Sequence, residues 1–234
     1  MTDLSGRLKD IAYECTDSDI LVDIGCDHAL VPISLLESGG ISFAFASDIN
    51  KGPIEAAKRN ALAAGVEDRM NFIVADGLSG IDTSDPMFAN KKTALLISGM
   101  GGPLIEKILL QGQEVLPLFE KFVFSPHSKI GDFRRFLGKN GFSIRHEKLT
   151  KEEGKFYFIM FCTPGDDMCG NDMEYELGPG FFEEKYEEKR DFLVRNLKVN
   201  EDLCRNEAIP PQKKAETEKM RLMYKKAVKI YDMR

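Results

Sequence analysis

The sequence predicts an α/β protein: a doubly wound, mainly parallel sheet ending in an antiparallel β-hairpin, followed by a C-terminal helical hairpin. Three observations predict it. Short apolar runs alternate with segments of helical periodicity as far as DFRRFLGKNG. Two long runs, GFSIRHEKLT and KFYFIMFCTP, then flank a Lys-Glu-Glu-Gly turn near 151–154. Beyond residue 165 the apolar positions recur at helical spacing alone.

Taken in order, ILVDIG at 20–25 is a buried strand ending in an acid and a glycine, and it feeds a turn and helix in HALVPISLLES. FAFASDIN at 43–50 is a second strand with Asp48 at its exit. In GPIEAAKRNALAAG at 52–65, Pro53 marks a helix start and Gly65 a stop, and Ile54, Ala57, Ala61 and Ala64 share one stripe. Side chains that small suit close packing on a sheet. MNFIVADG at 70–77 and TALLISGMGG at 93–102 are strands three and four, and PLIEKILLQGQEVLP continues as a helix. KFVFSP at 121–126 is strand five, followed by a helix in DFRRFLGKNG. Repeated strand–helix units require a parallel sheet covered on both faces, to which the hairpin adds an antiparallel end.

A composition shift near Thr163-Pro164-Gly165 divides the chain into 1–164 and 165–234. In the second part, FFEEKYEEKRDFLVRNLKVNEDLCRNE carries a stripe through Phe182, Tyr186, Leu193 and Leu197. Pro210-Pro211 interrupts it, and a second stripe runs through Met220, Met223 or Tyr224, Ala227 and Tyr231. Two such helices joined by a short loop run antiparallel, with a short coiled coil as one form.

Composition narrows the function classes. A hydrophobic fraction of 43% fits a folded chain, and the formal charge of −6 argues against a surface that is basic throughout while permitting a local basic patch. No apolar run reaches the roughly 18–20 residues of a membrane span, and MTDLSGRLKDIAYEC lacks the order of a secretory signal, so a cytoplasmic protein is expected. Cys15, Cys26, Cys162, Cys169 and Cys204 are dispersed without a CxxC pair, as are His28, His127 and His146. Reduced thiols and no bound metal are expected. Nothing points to an obligatory protein partner.

Acids and glycines gather at successive strand exits: Asp23, Gly25, Cys26 and Asp27, then Asp48 and Ile49, then Asp76 and Gly77, then Gly99, Met100, Gly101 and Gly102. Parallel α/β sheets bind ligands beyond this edge, so residues far apart in sequence are expected in one cluster. The stretch after strand one lacks GxGxxG, which weighs against a pyrophosphate cradle and hence against a dinucleotide. Asp48 is placed to accept from ribose hydroxyls, Asp76 from an adenine amino group, and Asp23 to position an amino-acid end. The same acids can cap helices, and the glycines can merely permit turns. Cys26 reads as packing in the loop rather than as a nucleophile.

LVDIGCDHALVPI, FAFASDINKGPIEAAKRNA, FIVADGLSGI, LLISGMGGPLIEKIL and ELGPGFF together resemble the class I methyltransferases, and within them the bacterial tRNA (adenine-22 N1)-methyltransferase family. The resemblance implies a Rossmann-like domain binding S-adenosylmethionine and a helical domain helping to hold tRNA. By that likeness Asp23, Gly25 and Asp27 line the first cofactor loop, Asp48 takes the ribose, Asp76 and Gly77 lie near the adenine, and Gly99 to Gly102 form the catalytic-side loop. The family often shows Gln-Pro-Asn after strand five. This chain has Ser125-Pro126-His127, so its substrate contact there is expected to differ.

Adenine N1 already carries an in-plane lone pair, so such a reaction needs alignment rather than a protein nucleophile. Asp27 is the leading side chain for accepting from the adenine amino group, with capping of the following helix as its structural alternative. Met100 is expected to pack on the base, with His28, Gly102 and His127 near it. Arg134, Arg135 and Lys139 are expected on phosphate. So are Lys213 and Lys214, within a 30-residue C-terminal stretch holding nine Lys/Arg and four Asp/Glu. Methylation of another RNA base or a small molecule, and noncatalytic RNA binding on the same fold, are the competing readings.

Overall fold

The computed structural model describes residues 2–233. The chain divides into two compact units, Met1–Pro179 and Gly180–Arg234.

The first unit holds one seven-stranded sheet, built from β1 (Ile20–Ile24), β2 (Phe43–Asp48), β3 (Met70–Val74), β4 (Thr93–Ser98), β5 (Lys121–Ser125), β6 (Phe142–Glu152) and β7 (Lys155–Pro164). Their order is β3-β2-β1-β4-β5-β7-β6. The first five are parallel, while β7 lies antiparallel to both β5 and β6. Strand order therefore reverses between β1 and β4, the point at which parallel sheets open a ligand crevice. The β6–β7 turn is tighter than the sequence suggested, with Glu153 and Gly154 alone between the strands and both at positive φ. That is the backbone of a two-residue turn whose twist matches the strands it joins.

Among the described residues six α-helices belong to this unit: α1 (Gly6–Glu14), α2 (Leu30–Ser38), α3 (Lys51–Ala64), α4 (Gly102–Gln111), α5 (Ile130–Lys139) and α6 (Asp172–Leu177). Side chains alternate along each strand, so both faces of the sheet are buried. Leu21, Ala44, Ala46, Leu96 and Val123 share a core with Ile11 of α1, Ile33 and Leu36 of α2, and Ile54, Ala57 and Ala61 of α3. Among the residues between them on the strands, Phe122 and Phe124 meet Phe142 edge-on, and Phe124 meets Phe133 of α5 in the same way.

Helix α1 was not expected. Its signals are present nonetheless: the Ser5 hydroxyl accepts from the Leu8 N–H, and Ile11, Ala12 and Cys15 are buried at helical spacing. The domain boundary also moves, from 164/165 to 179/180, because α6 is bound into the first unit. Arg134 on α5 donates to the Tyr175 carbonyl at 2.7 Å, and Arg135 pairs with Asp172 and Glu176 at 3.2 Å each.

The second unit is a helical hairpin, α7 (Glu187–Arg205) and α8 (Pro211–Met233), broken where Pro210-Pro211 predicted. Leu193, Tyr224, Ala227 and Tyr231 are buried as the stripes required. Phe182 and Tyr186, expected within the first helix, precede it. The Tyr186 N–H donates to the Tyr231 hydroxyl at 2.9 Å, and that hydroxyl donates to the Tyr186 carbonyl at 2.8 Å. No described helix is long and apolar enough to cross a membrane.

Candidate active site

The exits of β1, β2 and β4 converge on a cavity of about 400 Å³. Asp23, Gly25, Cys26, Asp27 and His28 line it from the first strand, Asp48 from the second, and Ser98, Gly99 and Met100 from the fourth. The loops are tied together by backbone hydrogen bonds. Gly25 and Cys26 N–H groups both donate to the Ser47 carbonyl, at 2.8 and 3.0 Å, and Gly99 N–H donates to the Ser125 carbonyl at 3.2 Å. His127 N–H donates to the Met100 carbonyl at 2.9 Å, and Gly102 N–H to the Ser128 carbonyl at 3.0 Å.

Two glycines are required by this geometry. Gly25 has φ +73°, and a Cβ there would lie 2.1 Å from the Met100 Cε, so the first loop and the Met100 side chain share one space. A Cβ on Gly102 would come within 2.9 Å of the Ser128 carbonyl oxygen, which is backbone and has little room to yield. The GMGG stretch thus starts α4 while lying flush against the loop after β5.

Charge is concentrated on one side of the balance. Asp23 is 5% exposed. Burial, then the fields of Asp48 and Asp27, push its carboxyl from 3.8 up to about 7. Asp48 accepts from the Asn50 N–H at 2.8 Å. Asp27 sits at φ +48° with an exposed side chain, and its carboxylate lies 3.6 Å from His28 Nε2, beyond hydrogen-bond length. It does not cap α2, whose N-terminus is preceded by Ala29 in a left-handed conformation without a side-chain cap. Burial, followed by Asp23 and Asp48, drives the Cys26 thiol far above its usual range, so this sulfur is packing and not a nucleophile.

Other expected residues fall differently. Asp76 and Gly77 follow β3, next to β2, but do not line the cavity, nor do Ile49, Gly101, Gly102 and His127. The His127 ring is held on the loop after β4, with Nδ1 3.0 Å from the Gly99 carbonyl. A carbonyl only accepts, so Nδ1 is the donor in this contact. Arg134 is corrected outright: it is fully buried in an ion pair with Glu147 at 2.9 Å and cannot reach a phosphate. Arg135 is also engaged, by the two α6 carboxylates. Lys213 and Lys214 are exposed on the first turn of α8. The sequence reading did not include Arg7 and Leu8 of α1, which line the cavity as well. Among the described residues no group of three or more His, Cys, Asp or Glu side chains is placed to hold a metal ion.

A sheet of this order, with an antiparallel seventh strand inserted beside β5 and an acidic cleft at the β1–β4 switch, defines the Rossmann-like class I methyltransferase fold. The chain belongs to the methyltransferase-domain family, whose model matches residues 4–160. A tRNA (adenine(22)-N(1))-methyltransferase of Bacillus subtilis is 31% identical over 163 residues, 70% of this chain and 66% of that protein. The chain therefore aligns to slightly under two thirds of that relative's length. The crystal structure of the Bacillus subtilis m1A22 tRNA methyltransferase matches with a TM-score of 0.84 at 26% identity, covering 97% of this chain and 100% of that one. A Streptococcus pneumoniae protein solved in complex with S-adenosyl-L-methionine matches with a TM-score of 0.85 at 27% identity, over 97% and 100% of the two chains.

Proposed function

We propose that this chain transfers the methyl group of S-adenosylmethionine to N1 of adenine 22 in the tRNA D-loop, in the cytoplasm. The observation that carries the reading is the acidic cavity at the strand switch. Three carboxylates, one of them buried, suit a ligand bearing a sulfonium and an ammonium group. They oppose a pyrophosphate, because Asp27 stands on the loop where phosphate would be cradled. The relatives supply the acceptor: proteins of this family from Bacillus subtilis act on adenine 22.

In this reading Asp23 holds the ammonium end and Asp48 the ribose, with Asp76 and Gly77 toward the adenine and Ile49 and Cys26 in apolar contact. The bound cofactor supplies an electrophilic methyl group. The chain's own task is to bring a base already carrying a nucleophilic nitrogen into line, after the base has left its stack. Met100 packs on the base, the Gly99 to Gly102 backbone admits it closely, and Asp27 accepts from its amino group, offsetting charge that grows on the ring. His127 stands where the family often has Asn, with Nε2 left for a contact to the substrate.

Incubation with unmodified total tRNA and methyl-labelled S-adenosylmethionine tests the proposal, with the labelled nucleoside mapped afterwards. N1-methyladenosine at position 22 is expected. A different mapped nucleoside would keep methyl transfer and change the acceptor, whereas cofactor binding without any product would leave an RNA-binding protein.

RNA is to be held by the exposed lysines of α8. The Lys213→Glu/Lys214→Glu double variant is expected to weaken tRNA binding about 10-fold or more and to flatten the salt dependence by about two phosphate contacts. Cofactor affinity should stay unchanged. An unaltered tRNA affinity would remove these lysines from the interface.

A further inference from the structure

We infer that Arg7, on the first turn of α1, is the residue that binds the carboxylate of the cofactor's amino-acid end, completing with Asp23 a cradle for a zwitterion. The inference rests on the S-adenosylmethionine reading of the cavity. Arg7 is the single arginine or lysine among the described residues lining that cavity, whose other charged walls are Asp23, Asp27 and Asp48. Among these charged side chains a ligand carboxylate is repelled by the three acids and attracted by Arg7.

The guanidinium is held in place from the β6–β7 side. Its Nε donates to Glu152 Oε2 at 3.3 Å, its backbone N–H to Glu152 Oε1 at 3.4 Å, and its plane lies over the Tyr157 ring with Cζ 4.7 Å from the centroid. Hydrogen bonds from the Ser5 hydroxyl and from Arg7 hold Glu152 below the usual carboxylate range, so this anchor keeps its charge. The Arg7 Nη1 is nevertheless buried with no hydrogen-bond acceptor. Nη1 is thus turned away from solvent, while Arg7 itself borders the cavity with its side chain 18% exposed, so its charge is within reach of a ligand carboxylate there. Arginine's rigid fork suits the task, since one edge can stay on Glu152 while the other takes the ligand. Glu152 and Tyr157, at the β6–β7 turn, are positioning residues for Arg7.

Binding titrations separate this inference from the reading beneath it. S-adenosylhomocysteine carries the amino-acid end, and 5′-methylthioadenosine keeps the nucleoside and sulfur but lacks it. The wild-type chain is expected to prefer S-adenosylhomocysteine. Arg7→Met should lower affinity for it roughly 10- to 100-fold while changing methylthioadenosine binding less than about 3-fold, so that the preference collapses. Arg7→Gln, which keeps a donor toward Glu152 without the charge, should give the same collapse and serves if the Met variant does not fold. A folded variant that retains the full wild-type preference overturns the assignment of Arg7. Failure of the wild-type chain to bind either ligand overturns the cofactor reading itself.

Discussion

Asp23→Asn is expected to raise the melting temperature of the ligand-free protein at pH 8 by several degrees and to weaken S-adenosylhomocysteine binding at least about 10-fold. The two effects have one cause. Asp23 is an acid whose carboxyl is raised from 3.8 to about 7 on folding, first by burial and then by Asp48 and Asp27. Between those values the folded chain holds a proton that the unfolded chain releases. Stability is therefore lost as pH rises through that window, and above about 7 the whole penalty is in force. Asparagine removes the ionisation and with it the penalty, so the gain should be large at pH 8 and absent at pH 4. A cationic ligand stabilises the ionised carboxylate, so wild-type affinity should increase between pH 6 and 8 with proton release on binding, and the Asn variant should lose that dependence. Differential scanning fluorimetry and calorimetric titration in buffers of differing ionisation enthalpy measure both arms. A lower apo melting temperature at pH 8 would mean that Asp23 is stabilising the fold and is not waiting for a ligand.

That result bears on what a sequence discloses. The strand exits were readable because parallel strands end on one edge, so Asp23, Gly25, Asp27, Asp48, Gly99 and Met100 could be gathered from a string. What the string lacks is the partner of each charge. Arg134 and Arg135 resemble a phosphate-binding pair on an amphipathic helix, but Glu147 lies 13 residues on, across a turn into β6, and Asp172 and Glu176 lie beyond the apparent domain break. Only the packing of β6 and α6 against α5 reveals that these charges are spent internally, and the α6 contacts move the boundary to Pro179. Arg7 is the opposite case. Its helix was missed although Ser5 and the apolar spacing signal it, and nothing local indicates that α1 borders the cavity, because that follows from where α1 packs on the sheet.

Arg134→Met should destabilise the first unit by about 3–5 kcal/mol, the range for removing one member of a buried ion pair, and lower its melting temperature by on the order of 10 °C. Arg134 is fully buried and Glu147 nearly so, with Nε–Oε distances of 2.9 and 3.2 Å. The guanidinium also donates to the Tyr175 carbonyl in α6 and lies over the Phe158 ring at 4.6 Å. Methionine fills much of the volume and keeps contact with the ring, so the main loss is electrostatic: Glu147 is left charged in a site it cannot leave. Removing that charge as well should recover much of the stability, because a buried pair is dear to break and cheap to replace as a whole. Arg134→Met/Glu147→Leu is thus expected to be more stable than Arg134→Met alone, with a coupling energy of roughly 2 kcal/mol or more in a double-mutant cycle. The part not recovered reports the Tyr175 carbonyl, which neither substitution re-satisfies, and should appear as faster amide exchange in α6 than in β5 or α5. Strict additivity of the two substitutions would show that Arg134 acts through Tyr175 and Phe158 instead of through Glu147.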